Sequence, residues 1–127
     1  MARRGMLVEL VLRFGPPVVV MGAIFAVSAQ SDVDSGLGVV DAVGRKLIHM
    51  AEFALLFLLW LRALRGRAGL AALIAIGYAA TDEVHQTLVS GRHGTPVDVF
   101  IDAGGVLLVW YVHQRISSRR AARGAGS

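Results

Sequence analysis

The 127-residue chain is 55% hydrophobic and 17% charged, with 13 Lys and Arg residues against 9 Asp and Glu residues. Soluble domains are about 45–50% apolar and about 25% charged, so this composition favours a single domain of membrane helices. The absence of cysteine excludes disulfides and thiolate chemistry. The net charge of +4 raises nucleic acid as a partner, but the basic residues fall at the ends of apolar runs, where a bilayer explains them better.

Four apolar runs predict an all-α membrane protein with four transmembrane helices in a compact bundle. The runs are Leu7–Ala29, Leu47–Leu64, Ala68–Thr87 and Val97–Val112. Pro16 and Pro17 are expected to kink the first helix, which membrane helices tolerate. The second and fourth runs are short for a span, so tilt or local thinning of the bilayer must cover the difference.

The segments between and after these runs differ in composition. Residues 30–45 are predicted to form a polar loop and residues 62–67 a tight basic turn. In the third connection, residues 88–96, Thr95 is a candidate helix cap and Pro96 suits the first turn of the helix that follows. The membrane domain is expected to span residues 1–115, and residues 116–127 to form a basic, disordered tail.

The arginines predict the orientation. They cluster before the first run, in the second connection and after the last run, whereas the other two connections hold only Arg45, Lys46 and Arg92 as cations. The positive-inside rule then places both termini and the middle turn in the cytoplasm. The alternative is a cleaved signal peptide ending near Val27-Ser28-Ala29, but the run is long for one and carries charges and two prolines.

Ionisable and polar residues gather at one end of each of the last three runs. Antiparallel threading brings these ends to one side of the bilayer, the outer side in the orientation above. A charge inside a membrane helix costs at least about 2.5–3.5 kcal/mol, so it usually faces the bundle and serves a function. The alternatives are solvated interfacial residues, or structural ion pairs of Lys46 or Arg92 with Asp82 or Asp102.

Candidate roles follow from the side-chain chemistry. His49 or Glu52 is a candidate general base, with Asp82 as the carboxylate that orients it. The planar fork of Arg92 suits a phosphate or carboxylate. The candidate ligand-binding residues are Lys46, Glu83, Gln86, Arg92, Thr95, Asp98 and Asp102.

A divalent cation is the alternative use of the same carboxylates. Mg²⁺ or another hard cation takes oxygen ligands, which Asp82, Glu83, Asp98 and Asp102 could supply. Their spacing matches no known metal signature, so no metal and no cofactor is predicted.

The polar residues form a pattern that resembles the VanZ-like family of bacterial membrane proteins. The pattern is Lys46-x-x-His49-x-x-Glu52-Phe53, then Asp82-Glu83-x-x-Gln86, then Gly91-Arg92-x-x-Thr95-x-x-Asp98-x-x-x-Asp102-x-x-Gly105. The resemblance covers about residues 28–105, with Thr95 where Ser is frequent and Asp102 where Asn is frequent. It implies a multi-pass protein of the bacterial cytoplasmic membrane, within the cell envelope, and a link to low-level teicoplanin resistance. It does not supply a reaction.

Three functions are compatible with these residues. The first is binding of a lipid-linked or anionic envelope molecule in the outward pocket. The second is a membrane-embedded hydrolase or transferase acting on such a molecule, with Ser28, Ser90 and Thr95 as weak nucleophile candidates. The third is a proton- or ion-coupled carrier, which would need an oligomer because the polar residues lie on one side only. The expected partners are the lipid bilayer and a lipid-linked envelope precursor; the sequence does not determine the oligomeric state.

Overall fold

The computed structural model describes residues 1–28, 38–88 and 95–126, which form four helices and no strand. The all-α prediction is confirmed. The helices are α1 (Ala2–Ser28), α2 (Val39–Ala63), α3 (Ala68–Thr87) and α4 (Pro96–Ala125). Ser28 at the end of α1 contacts Asp82 near the end of α3, while Lys46 and Asp98 pair near the starts of α2 and α4. Helices α1 and α3 therefore run in one direction, and α2 and α4 run in the other.

Helices α2 and α3 form the centre of the bundle. Each of α1 and α4 packs on both of them, and α1 and α4 do not touch within the described residues. The α3 surface that faces the core is made of alanines, which allow neighbouring helices to come close. Larger side chains from the other helices fill the space against it: Ile24, Phe53, Leu56, Phe57 and Val106.

Helices α2 and α4 come into close contact at Gly105. A Cβ atom at this position would lie 2.9 Å from the Met50 carbonyl oxygen and 3.3 Å from the Met50 Cα. A side chain does not fit here without moving one helix backbone. This contact brings the start of α4 against the polar face of α2, which gives a physical reason for Gly105 in the sequence pattern.

The turn between α2 and α3 is a Schellman motif. The Gly66 N–H donates to the Leu61 carbonyl at 2.9 Å, and the Arg65 N–H donates to the Arg62 carbonyl at 3.2 Å. Arg65 has φ 54°, in the left-handed region that usually selects glycine. The predicted tight basic turn is confirmed.

Three helix boundaries differ from the sequence-based expectation. Helix α1 begins at Ala2, five residues before the predicted run. Helix α2 begins at Val39, inside the segment predicted as a loop up to residue 45, and Asp41 in its first turn interacts favourably with the helix dipole. Helix α4 continues to Ala125, so residues 116–125 are helical rather than disordered. Arginine and alanine are strong helix formers, and no proline interrupts this segment.

The outer surface of the bundle is apolar. Among the described helices, α1 and α4 are long and apolar enough to cross a membrane, judged by length and composition. Large hydrophobic side chains are exposed on all four helices, for example Val19, Leu55, Leu73 and Leu107. Soluble monomers rarely expose apolar surface this extensive, so the surface suits contact with lipid.

Candidate functional site

The polar residues of all four helices meet at one end of the bundle. This polar end is formed by the last turn of α1, the N-terminal half of α2, the last turns of α3 and the first turns of α4. Its side chains are Ser28, Lys46, His49, Glu52, Asp82, Glu83, Gln86, Asp98 and Asp102. The shared end expected from antiparallel threading is therefore present in the structure.

A buried hydrogen-bond network joins α1 to α3. The Ser28 hydroxyl donates to Asp82 Oδ2 at 2.9 Å, and Gln86 Nε2 donates to the same oxygen at 2.9 Å. Gln86 Nε2 also lies 3.4 Å from Ser28 Oγ. The i, i+4 spacing predicts that Asp82 and Gln86 share a stripe. Ser28 was predicted only as a weak nucleophile candidate; its hydrogen bond to Asp82, 54 positions away, could not be predicted from local spacing.

The other oxygen of Asp82 has no partner within the described residues. Asp82 is 2% exposed, and its Oδ1 atom accepts no hydrogen bond there. Buried polar atoms in proteins are almost always hydrogen-bonded, since an unmade bond costs about 1–3 kcal/mol. No described residue donates to Asp82 Oδ1, so a donor to this buried atom would come from outside the described residues.

His49 and Glu52 lie side by side on α2. His49 Nδ1 is 3.4 Å from Glu52 Oε2, and both side chains are half-buried. Neither of these atoms makes a hydrogen bond within the described residues. The structure thus places Glu52 beside the imidazole, whereas Asp82 is bonded to Ser28 and Gln86.

Lys46 and Thr95 both engage Asp98 at the rim of the polar end. Lys46 Nζ lies 3.5 Å from Asp98 Oδ1, and the Thr95 hydroxyl donates to Asp98 Oδ2 at 3.0 Å. Thr95 occupies the N-cap position before Pro96, as predicted, but its hydroxyl bonds a side chain and not the helix backbone. The pair with Lys46 is exposed enough for solvent to screen it.

Carboxylates converge on Asp102. This residue is 5% exposed, and the charges of four neighbours, Glu83, Asp82, Asp98 and Glu52, act on it. No group of three or more Asp, Glu or His residues in the described ranges has an arrangement that could hold a metal ion. Because these carboxylates act on one another, the site is rich in hydrogen-bond acceptors, and it suits groups that bring N–H or O–H donors.

Aromatic contacts hold the polar end in place. His85, on α3, stacks on the Phe25 ring of α1 with centroids 4.0 Å apart. The Tyr78 hydroxyl donates to the Met21 carbonyl, and the Tyr78 ring packs near Phe53. These contacts join α1 and α2 to α3, next to the carboxylates.

Two of the candidate site residues named from the sequence cannot be located relative to this site. Arg92 and Ser90 lie outside the described residues, so the predicted contact of Arg92 with an anion stays a prediction. Every other candidate residue lies at the polar end, as described above.

The fold and site describe a small helical protein with an apolar exterior and a polar cluster at one end. The VanZ/LLP1 family model matches residues 6–117, which is most of the chain. The chain belongs to the VanZ/LLP1 family. Family membership and the two membrane-length helices together indicate a membrane protein. No protein of curated function matches the chain, and no solved structure does.

Proposed function

We propose that this VanZ-like protein crosses the bacterial cytoplasmic membrane four times, with both termini in the cytoplasm and the polar end outward. The apolar side chains exposed on every helix support four spans. Arg13, Arg62, Arg65 and Arg67 lie at the end of the bundle opposite Asp82, which supports a cytoplasmic location for that end.

Cysteine labelling tests the orientation. Single cysteines that replace Asp34 and His93 should react with a membrane-impermeant thiol reagent in whole cells, and one that replaces Arg65 should not. The native chain has no cysteine, so each variant carries a single target. If only the cysteine at position 65 reacts, the topology is the reverse of the proposed one, and the polar end faces the cytoplasm.

The polar end is proposed to bind the headgroup of a lipid-linked or anionic envelope molecule. The observation that carries this proposal is the buried Asp82 Oδ1 with no donor among the described residues, beside the carboxylates around Asp102. Hydroxyl and ammonium groups of a headgroup would supply the missing donors. The apolar helix surfaces that adjoin this end would hold the acyl or prenyl tail.

The anionic part of such a molecule needs cations at the rim. Lys46 is half exposed and can turn from Asp98 toward a phosphate. Arg92, four residues before Pro96 in the sequence, is the second proposed cation because its planar fork matches phosphate geometry. The proposed site thus combines buried acceptors with cations at its edge.

A co-purified molecule is the direct test. The protein is extracted from bacterial membranes in mild detergent, and bound molecules are identified by mass spectrometry. A lipid-linked or phosphate-bearing molecule should accompany the wild type and be strongly reduced in Asp82→Asn and Asp102→Asn. Arg120→Gln, which changes a charge in the helical tail, should retain it. Equal recovery from all four proteins would contradict binding at the polar end.

A membrane hydrolase or transferase is the second candidate function. The contact that favours it is the His49–Glu52 pair, because a carboxylate beside an imidazole is a common arrangement for a general base. His49→Gln keeps hydrogen bonding and removes proton transfer near neutral pH. If binding persists in His49→Gln while the bound molecule is no longer modified, the site is catalytic; if neither changes, catalysis through His49 is ruled out.

We extend the proposal to glycopeptide susceptibility, which the family resemblance implies. In a strain whose deletion changes teicoplanin susceptibility, Arg92→Lys and His49→Gln should reach the membrane at normal levels but fail to complement. Arg92→Lys keeps the charge and loses the bidentate fork, so it separates ligand recognition from folding. Complementation by both variants would indicate that the polar end has only a structural role.

A further inference from the structure

A groove at the end of the bundle opposite the carboxylates has the chemistry of a lipid-headgroup site. It is an open groove of about 450 Å³ between the N-terminal half of α1 and the end of α2 with its following turn. Its wall combines charged and apolar side chains: Val8, Glu9, Leu12, Arg13, Arg62 and Arg65. None of these residues contributes to the polar end.

Two of the groove arginines are held in place by the fold. Arg13 Nε donates to the Ala63 carbonyl at the end of α2. Arg65 Nη2 donates to Glu9 Oε1 at 2.8 Å, and the left-handed backbone at Arg65 turns the chain at this point. These contacts join α1 to the end of α2 and to the turn that follows it.

The third arginine of the groove, Arg62, is free to pair with a bound anion. Arg62 is exposed and makes no ion pair within the described residues. Three arginines face a single glutamate in the groove, so the site has an excess of positive charge. An anion that binds here would be met by a guanidinium fork without first breaking an internal pair.

The apolar part of the wall identifies the kind of anion. Val8 and Leu12 are 57% and 60% exposed and lie beside the arginines. Contact with these aliphatic side chains does not stabilise a free anion. An amphiphile, by contrast, places its headgroup on the cations and its acyl chain along the aliphatic side chains. Basic pockets between helices on the cytoplasmic side are suited to anionic headgroups. We propose that this groove binds an anionic phospholipid, with Arg62 as the principal contact to its phosphate.

The test measures the melting temperature of the purified full-length protein in detergent as phosphatidylglycerol is added. Phosphatidylglycerol should raise the melting temperature in a saturable way, and zwitterionic phosphatidylcholine should not. Arg62→Gln should weaken the apparent affinity about fivefold, which corresponds to about 1 kcal/mol per basic residue at a membrane surface. Arg67→Gln is the matched control, because Arg67 lies in the same turn but does not line the groove.

A second variant changes the affinity in the opposite direction. Glu9→Gln removes the acidic group of the groove and releases Arg65, so it should strengthen binding of phosphatidylglycerol. This outcome does not depend on the stability of Arg62→Gln.

Three results would overturn the proposal. Equal effects of phosphatidylglycerol and phosphatidylcholine would show that the negative charge of the headgroup plays no role in binding. Equal weakening by Arg62→Gln and Arg67→Gln would indicate diffuse surface attraction and no groove site. A comparable shift with inorganic phosphate alone would identify a free-anion site.

Discussion

The two ends of this bundle carry opposite charges, and charged side chains are buried at one end and exposed at the other. At the polar end, Asp82 and Asp102 are buried, and Asp82 is joined to Ser28 by a hydrogen bond. At the basic end, Glu9 and Arg65 form an ion pair while both side chains remain more than half exposed. Carboxylates are thus interior groups at the polar end, whereas at the basic end a carboxylate and its arginine partner both stay at the surface.

This difference follows from side-chain length and solvation. Arginine can extend its long chain past an apolar surface and keep the guanidinium in water, so the basic end needs few internal partners. Aspartate is short, and its position on the helix decides whether it is buried. Once buried it must be hydrogen-bonded, because desolvation of an unpaired carboxylate is costly. We therefore expect substitutions at the polar end to have the larger effects.

The largest expected effect is that of Asp82→Ala. It leaves the Ser28 hydroxyl and the Gln86 amide without their buried acceptor, at about 1–3 kcal/mol for each group. Thermal melting in detergent should show a loss of about 3 kcal/mol of stability. Glu9→Ala removes a carboxylate from the basic end and should change stability by less than about 1 kcal/mol. Similar, negligible changes in both variants would mean that the polar end is solvated surface.

Gly105→Ala tests the helix contact that assembles the polar end. The new Cβ would lie 2.9 Å from the Met50 carbonyl oxygen, so α2 and α4 must separate, at about 1–3 kcal/mol. Gly104 is the matched control, because a Cβ there meets no atom within 4 Å. Gly104→Ala should be neutral or stabilise the helix by up to about 1 kcal/mol. Melting curves that rank the two variants in the reverse order would contradict the close contact.

Lys46→Gln should have a smaller effect, although Lys46 belongs to the polar end. Its side chain is 51% exposed and its distance to Asp98 is 3.5 Å, so solvent screens the pair. Exposed ion pairs contribute about 0–1 kcal/mol. The melting temperature should fall slightly in low salt and not at all in high salt. A loss as large as that of Asp82→Ala would mean that the rim is buried in the assembled protein.

The smallest expected effect is a gain in stability at the basic end. Arg65→Gly places the preferred residue at φ 54° and relieves about 1–2 kcal/mol of backbone strain, but it removes the exposed pair with Glu9. The net change in melting temperature should be zero or slightly positive. Arg67 has φ −73°, so Arg67→Gly removes an arginine from the same turn without any relief of strain. Arg67→Gly should therefore not be the more stable of the two.

The sequence by itself determined the helical class, the places of the four helices and the residues that gather at the polar end. Apolar runs define helices because a helix satisfies its own backbone hydrogen bonds, and antiparallel threading fixes which ends meet. The pattern from Lys46 to Gly105 also identified the family. The boundaries at Val39 and Ala125 were not determined, because local polarity resembles a loop even where helix propensity is sufficient.

Only the tertiary structure decided which polar side chains become partners. Ser28 and Asp82 are 54 positions apart, and no local pattern predicts their hydrogen bond. The requirement for glycine at position 105 and the groove beside Arg62 likewise depend on how neighbouring helices pack. These features arise from distances between helices, whereas the sequence periodicity describes each helix alone.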